Sequence, residues 1–181
     1  MHAFSWYDDN QRPGKELMNI LQNNWEGYET LRLYAFNKYD YFGNDNDEVD
    51  EIAARLVQDF SNMCDAVNNK TAYMTPAGIS TFGRQLEWSS CRMATSSGKK
   101  AHEILAGNFS PTPGTDKEGA TAIIKSYCKS DLKRTVSGAA LDIKLLPSAV
   151  NGENGLEAMV SLLRGFVSLG GYFMQLDIAD N

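Results

Sequence analysis

Apolar residues recur at intervals of three and four along most of the patterned stretches of the chain, and alternate with other residues only in short runs. The clearest helical run is 47–67, where Val49, Ile52, Ala53, Leu56, Val57, Phe60, Met63, Cys64 and Val67 form one stripe. Asp47, Glu48, Asp50 and Glu51 fill its first turn, where negative charge suits the positive end of the helix dipole. This pattern predicts one amphipathic helix packed on a body. Leu17, Met18, Ile20 and Leu21 predict a short helix over 15–25, and Leu31, Leu33, Tyr34 and Phe36 a second over 28–36. Ahead of them, 1–13 reads as loop, with Asp8-Asp9-Asn10 and Arg12-Pro13-Gly14 as breakers.

Beyond the long helix, 75–84 is bounded by Pro76-Ala77-Gly78 and reads as a short strand containing Ile79 and Phe82. The tract 88–119 is polar and rich in turn residues, with little periodicity; so long an irregular stretch is more often functional, or packed against something larger. A helix is expected over 120–130, a strand over 139–146, and a helix over 155–169 with Leu156, Met159, Val160, Leu163, Phe166 and Val167 on one face. Gly170-Gly171 stops that helix, and 172–178 reads as a strand. Strands alternating with helices suit an α/β arrangement with crossover helices.

The composition of the 181 residues, 43% hydrophobic and 22% charged, supports a buried core. A net charge of -6 with no basic run argues against nucleic acid as a partner, since binding it depends on neutralising phosphates. Asp, Arg or Gln interrupts every hydrophobic run before it reaches the ~18 residues of a membrane span, and the first residues lack the basic and apolar regions of a secretory signal. Cys64, Cys91 and Cys128 fit no zinc spacing, and a reducing cytoplasm is the simplest compartment for them.

Motif chemistry is sparse. Gly98-Lys99-Lys100 has Met93 where a phosphate loop needs its first Gly, and Lys100 where it needs a hydroxyl. Gly78-Ile79-Ser80-Thr81-Phe82 has Phe where a nucleophile elbow needs its second Gly. With only His2 and His102, neither a Ser/His/Asp triad nor a histidine metal site has much to draw on. The acidic tract 44–51 leaves two readings open, a calcium site without the EF-hand Gly and Glu, or a capped helix start. Cys64 lies on the apolar stripe as a small hydrophobe, while Cys91 and Cys128 have no basic or histidine neighbour in sequence to activate them.

Several phrases, taken in order, resemble glycyl radical enzymes, the family of pyruvate formate-lyase and the radical dehydratases and decarboxylases. Tyr41-Phe42-Gly43-Asn44-Asp45 followed by Val49-Asp50 is similar to the Tyr-Gly-Asn-Asp phrase before a long helix in that family. Met93-Ala94-Thr95-Ser96-Ser97-Gly98-Lys99-Lys100-Ala101 resembles its GATPDGRKA loop, with Ser96-Ser97 replacing Pro-Asp and Lys99 replacing Arg. Ser110-Pro111, Gly114, Asp116 and Gly119-Ala120-Thr121-Ala122 continue the register. So do Lys125-Ser126, Asp131, Pro147-Ser148-Ala149, Gly155-Leu156, Leu169-Gly170-Gly171 and Gln175. The shared order and spacing across 25–178 is what makes the likeness specific. The stretch from Leu146 through Gly170-Gly171 is closer to the dehydratase and decarboxylase branch, from which Ser96-Ser97 and Asp177 depart.

The resemblance implies that 1–181 is part of a pyruvate formate-lyase-like domain, a ten-stranded α/β barrel sheathed in helices. It implies a full-length enzyme, cytoplasmic and anaerobic, that does thiyl-radical lyase, dehydratase or decarboxylase chemistry on a small metabolite. That enzyme is expected to be a homodimer whose glycyl radical is installed by an S-adenosylmethionine iron-sulfur activating enzyme. The radical-bearing Cys and Gly phrases are expected outside this chain, which then carries no catalytic residue, metal or bound cofactor of its own and is inactive alone. The other reading is a non-catalytic truncated product, or a structural subunit completing a split enzyme. On the expected strands 75–84 and 172–178, alternation would put Ser80, Phe82 and Arg84 on one face and Met174, Leu176 and Ile178 on another. Resemblance aligns Ser80 with a position where dehydratases can place a substrate-contacting Tyr. Ser80, Phe82, Arg84, Met174 and Leu176 are therefore expected to line the substrate pocket. Arg84 would either pair with a substrate carboxylate or sit at a strand end in a salt bridge or in solvent.

Overall fold

The computed structural model describes residues 14–180, so the loop expected over 1–13 lies outside the described residues. Helices α1 (Gly14–Gln22), α2 (Glu29–Lys38) and α3 (Asp47–Asn68) come first, then a short α4 (Gln85–Ser89). Helix α5 (Gly119–Cys128), strand β1 (Leu141–Leu145), helix α6 (Gly152–Ser168) and strand β2 (Met174–Ile178) complete the order. The chain divides into two compact units, residues up to 40 with 83–105, and 41–82 with 106–181. Among the described residues no helix is long and apolar enough to cross a membrane.

In the first unit Ile20 of α1, Ala35 of α2, Trp25 and Ala94 are buried together, and Leu17 of α1 is buried as well. The turn 95–99 rests on α2 so closely that a Cβ on Gly98 (φ 90°) would lie 2.7 Å from Arg32 O, and Arg32 Nη1 donates to Gly98 O at 2.8 Å. Trp25 Nε1 adds a bond to Thr95 O at 3.2 Å. The phrase 93–101 thus holds a loop on two helices.

In the second unit β1 and β2 pair in parallel, with Leu141 opposite Met174 and Ile143 opposite Leu176. Parallel neighbours need a crossover, and α6 supplies it. The apolar positions of the sheet meet α5 and α6 in a core of Ile123, Ile124, Tyr127, Leu141, Ile143 and Phe166, to which α3 adds Val57. Tyr127 stacks on Phe166 at 5.9 Å between ring centroids. Gly171 follows α6 because nothing larger fits: a Cβ there would lie 2.3 Å from the Phe166 ring. Gly171→Ala is expected to lower unfolding stability by about 1–3 kcal/mol through overpacking, measured as a shift of the denaturation midpoint.

Two expectations change. The strand over 75–84 does not form: Ile79 makes a lone parallel bridge to Ala139, with Ile79 N donating to Gly138 O at 2.8 Å. Pro76 lacks a donor for a ladder, and Phe82 and Gly83 take left-handed backbone (φ 50° and 77°) that turns the chain out of any strand. The stripe on α3 is only partly used, since Asp50, Val57 and Ser61 are buried while Leu56, Phe60, Met63 and Val67 stay exposed. Periodicity predicts the helix but not how much of its apolar face finds a partner within these residues.

Candidate functional site

A cleft of about 530 Å³ opens where the chain enters the two strands, between Ala139-Ala140 ahead of β1 and Tyr172-Phe173 ahead of β2. Ser80, Phe82, Val136, Ser137 and Gly138 complete its lining. Tyr127, fully buried, braces both strand entries: its hydroxyl donates to Ala139 O at 2.5 Å and accepts from Phe173 N at 3.2 Å. Burial pushes the Tyr127 phenol above its ordinary pKa, which keeps the hydroxyl a neutral donor.

Asn108 holds the segment that carries Ser80. It adopts left-handed backbone (φ 47°), which Asn tolerates, and its Oδ1 accepts from Thr81 N at 2.9 Å and Ser80 Oγ at 3.0 Å. Its Nδ2 donates to Asp142 Oδ2 on β1 at 2.7 Å, and its own N–H donates to Thr81 Oγ1 at 3.1 Å. Sequence reasoning missed Asn108, Asp142, Tyr172 and Phe173, because partners 27 and 34 residues away leave no local spacing signal.

The residues singled out from sequence separate. Ser80 and Phe82 line the cleft. Arg84 is exposed, in the other unit, at the start of α4 with helical backbone; with no strand over 75–84 there is no shared face to align it with Ser80. Met174 and Leu176 do share a face, but it packs against the hydrophobic core beneath the helices. The opposite face of the sheet carries Asp142 and Lys144 on β1 in register with Gln175 and Asp177 on β2. Gln175 and Asp177 are exposed, and Gln175 Nε2 donates to Asp177 Oδ1 at 3.1 Å. The signal was present: where Leu and Met alternate with Gln and Asp, the apolar set is the one that helices bury.

The phrase 41–50 is a clamp. Asn44 Oδ1 accepts from Lys117 N (2.7 Å) and Glu118 N (3.2 Å) just ahead of α5, and its Nδ2 donates to Thr115 O (2.8 Å) and Tyr41 O (3.1 Å). Asn46 caps α3 by accepting from Glu48 N and Val49 N, which answers the choice left open for the acidic tract in favour of capping. Asp45, Asp47 and Asp50 converge on the Lys129 ammonium at 2.9, 2.6 and 2.8 Å. Of the cysteines, Cys91 is exposed, Cys64 is half-buried, and burial pushes the half-buried Cys128 thiol upward, away from the thiolate.

These charges set a pH window. Hydrogen bonds from Lys125 and Lys129 hold Asp45 below its ordinary range, so its contribution is complete above the unfolded carboxyl pKa and is lost as pH falls through the depressed folded value. For Lys129, desolvation pulls downward but hydrogen bonds to Asp47, Asp50 and Asp45 outweigh it and raise the pKa. Its contribution is therefore complete below the unfolded value and lost only as pH rises through the raised one. Thermal stability from this clamp should be flat between about pH 5 and pH 10. Asp45→Asn should lower Tm at pH 7 and remove part of the fall between about pH 5 and pH 3, as read by circular dichroism melts.

Two family models match the chain: pyruvate formate lyase-like over residues 2–87, and glycine radical over residues 105–181. Among curated relatives, a trans-4-hydroxy-L-proline dehydratase of Clostridioides difficile is 30% identical over 91% of this chain and 21% of its own length. A probable dehydratase of Escherichia coli K12, YbiW, is 31% identical with the same coverage. An indoleacetate decarboxylase of Tractidigestivibacter scatoligenes is 32% identical over 77% of this chain and 16% of its own length. In solved structures, the glycerol-bound B12-independent glycerol dehydratase of Clostridium butyricum superposes with a TM-score of 0.82 at 29% identity, covering 96% of this chain and 22% of that one. The chain spans about a fifth of the length of the relatives it matches.

Proposed function

Because this chain belongs to the glycyl radical enzymes, in their dehydratase and decarboxylase branch, we propose that it forms one wall of the substrate chamber of such an enzyme. The observation that carries this is the two-faced sheet. Helices cover the apolar side of β1 and β2, so in a barrel the opposite side, with the exposed Gln175 and Asp177, faces inward, next to the cleft with Ser80 and Phe82. Met174 and Leu176 then support the wall from behind.

The complete polypeptide would do lyase chemistry on a small metabolite, dehydration or decarboxylation being the reactions named for the relatives. When installed, the radical supplies hydrogen abstraction from the substrate, and a wall of this kind holds the substrate and keeps water out. The segment alone is inactive. Its exposed α3 stripe of Leu56, Phe60, Met63 and Val67 meets the rest of the enzyme. A radical S-adenosylmethionine activase and a second subunit are the further partners. Three unpaired cysteines suit a reducing, anaerobic cytoplasm.

The test is Ser80→Trp in the complete polypeptide, activated under anaerobiosis. Filling the cleft should cut kcat/KM about a hundredfold while the glycyl radical signal in electron paramagnetic resonance stays unchanged. An unchanged kcat/KM would reject the wall, and absence of any radical after activation would reject the enzyme.

A further inference from the structure

Two Asn-Gly steps stand almost side by side at the start of α6, Asn151-Gly152 and Asn154-Gly155, and no other occurs in the chain. Asn followed by Gly is the dipeptide most open to rearranging its own backbone. The nitrogen of the following residue, once it has given up its proton, attacks the side-chain amide carbon, and glycine puts no side chain in the way. The new bond from N to Cγ closes a succinimide ring, the bond from Cγ to Nδ2 breaks, and ammonia leaves. Water then opens the ring at one carbonyl or the other, which yields Asp or isoaspartate. The reaction consumes only water.

Along the chain the two steps read alike, and the fold separates them. Asn151 and Asn154 are both exposed, so access of water does not distinguish them. The difference lies in the backbone, because ring closure requires the Asn to rotate about its Cα–C bond until the next nitrogen reaches Cγ. Asn151 precedes α6 with extended backbone (ψ 143°), and its side chain makes no capping hydrogen bond that would hold it. Gly152 is exposed, takes left-handed backbone (φ 70°) and has nothing within 4 Å of where a Cβ would lie. Its amide is one of those that a helix start leaves without an intrahelical partner. Asn154 and Gly155 lie inside the helix, where the Gly155 amide is the first to be satisfied, by the carbonyl of Asn151. Gly155 is also buried, so close to the preceding chain that a Cβ would lie 2.2 Å from Val150 C. Rotation at Asn154 therefore has to open the first turn of α6.

We infer that Asn151 is a self-modifying site, which converts through the succinimide to Asp and isoaspartate in the folded protein, while Asn154 is protected. The two products differ in effect. Asp leaves the backbone as it was, and a carboxylate at this position caps the helix as well as Asn does. Isoaspartate routes the chain through the side-chain carbon and adds a methylene to the backbone between Val150 and Gly155, where the close approach leaves no slack. The isoaspartyl form therefore loosens the first turn of the helix that crosses between β1 and β2.

The complete, unactivated polypeptide is incubated at mildly alkaline pH, once folded and once in denaturant, and a mass gain of about 1 Da at each Asn is followed by peptide mapping. In denaturant the two sites should convert at similar rates. In the folded protein Asn151 should convert at least about tenfold faster than Asn154, whose reaction waits on local opening of the helix. Equal rates in the folded protein, Asn154 ahead of Asn151, or an Asn151 that converts only in denaturant would each overturn the inference. The isoaspartyl fraction, separated by chromatography, should show faster amide exchange at Gly155 than the parent, and the Asn151→Asp variant should not. Unchanged exchange at Gly155 in the isoaspartyl form would overturn the link to α6.

Discussion

Tyr127→Ala is expected to lower the unfolding free energy by about 3–5 kcal/mol, the range for deleting a buried aromatic side chain. Tyr127 has no exposed surface, stacks on Phe166 at 5.9 Å and lies 5.8 Å from Phe109 between centroids, so its removal leaves a cavity at the centre of the second unit. It also strips Ala139 O and Phe173 N of their partner where the chain enters β1 and β2. Tyr127→Phe separates the two losses: it keeps the ring and removes the hydroxyl, and should cost about 1–3 kcal/mol. Because the same strand entries line the cleft, the Phe variant should also raise KM in the complete enzyme with little change in kcat. Denaturant melts and steady-state kinetics on the pair check this, and a Phe variant as unstable as the Ala variant would contradict the division.

Asp50→Ala should cost about as much, about 3–5 kcal/mol, for a different reason. Asp50 is fully buried and its Oδ2 accepts from Ser126 Oγ at 2.9 Å and from Lys129 Nζ at 2.8 Å. Removing the carboxylate leaves the Ser126 hydroxyl without an acceptor and Lys129 with only the more exposed Asp45 and Asp47. Ser126 Oγ in turn accepts from Asp45 N at 2.9 Å, so the loop 41–46 should loosen from α5. Faster amide exchange at Asp45, together with the lowered denaturation midpoint, is the expected signature. Asp50→Asn keeps an acceptor for Ser126 and should lose less.

Residues that carry the family resemblance turn out to do structural work in large part. Gly43 is an example: a Cβ there would lie 2.3 Å from Pro111 Cγ, and its φ of 102° suits glycine. Gly43 and Pro111 belong to two phrases 68 positions apart that read separately along the chain and meet in the fold. Asp45 N donates to Ser126 Oγ, and Asn44 Oδ1 accepts from Lys117 N, across similar stretches of chain. Their order and spacing mark the family because the clamp needs each of them at one place.

Helices α1, α2, α3, α5 and α6 and strands β1 and β2 were legible in the sequence, because each depends on a local period of apolar residues and on local stops such as Gly170-Gly171. The family was legible too, in motif order. Three things only the tertiary structure decided. Residues 75–84 fail as a strand because the backbone turns left-handed at Phe82, a choice that hydrophobic alternation does not encode. Met174 and Leu176 face the core because α5 and α6 lie on that side of the sheet. Ser80 is tied to β1 because Asn108, distant in sequence, bonds both Ser80 Oγ and Asp142. Local periodicity determines which element forms; which face is buried and which is left open depends on contacts between residues far apart in the chain.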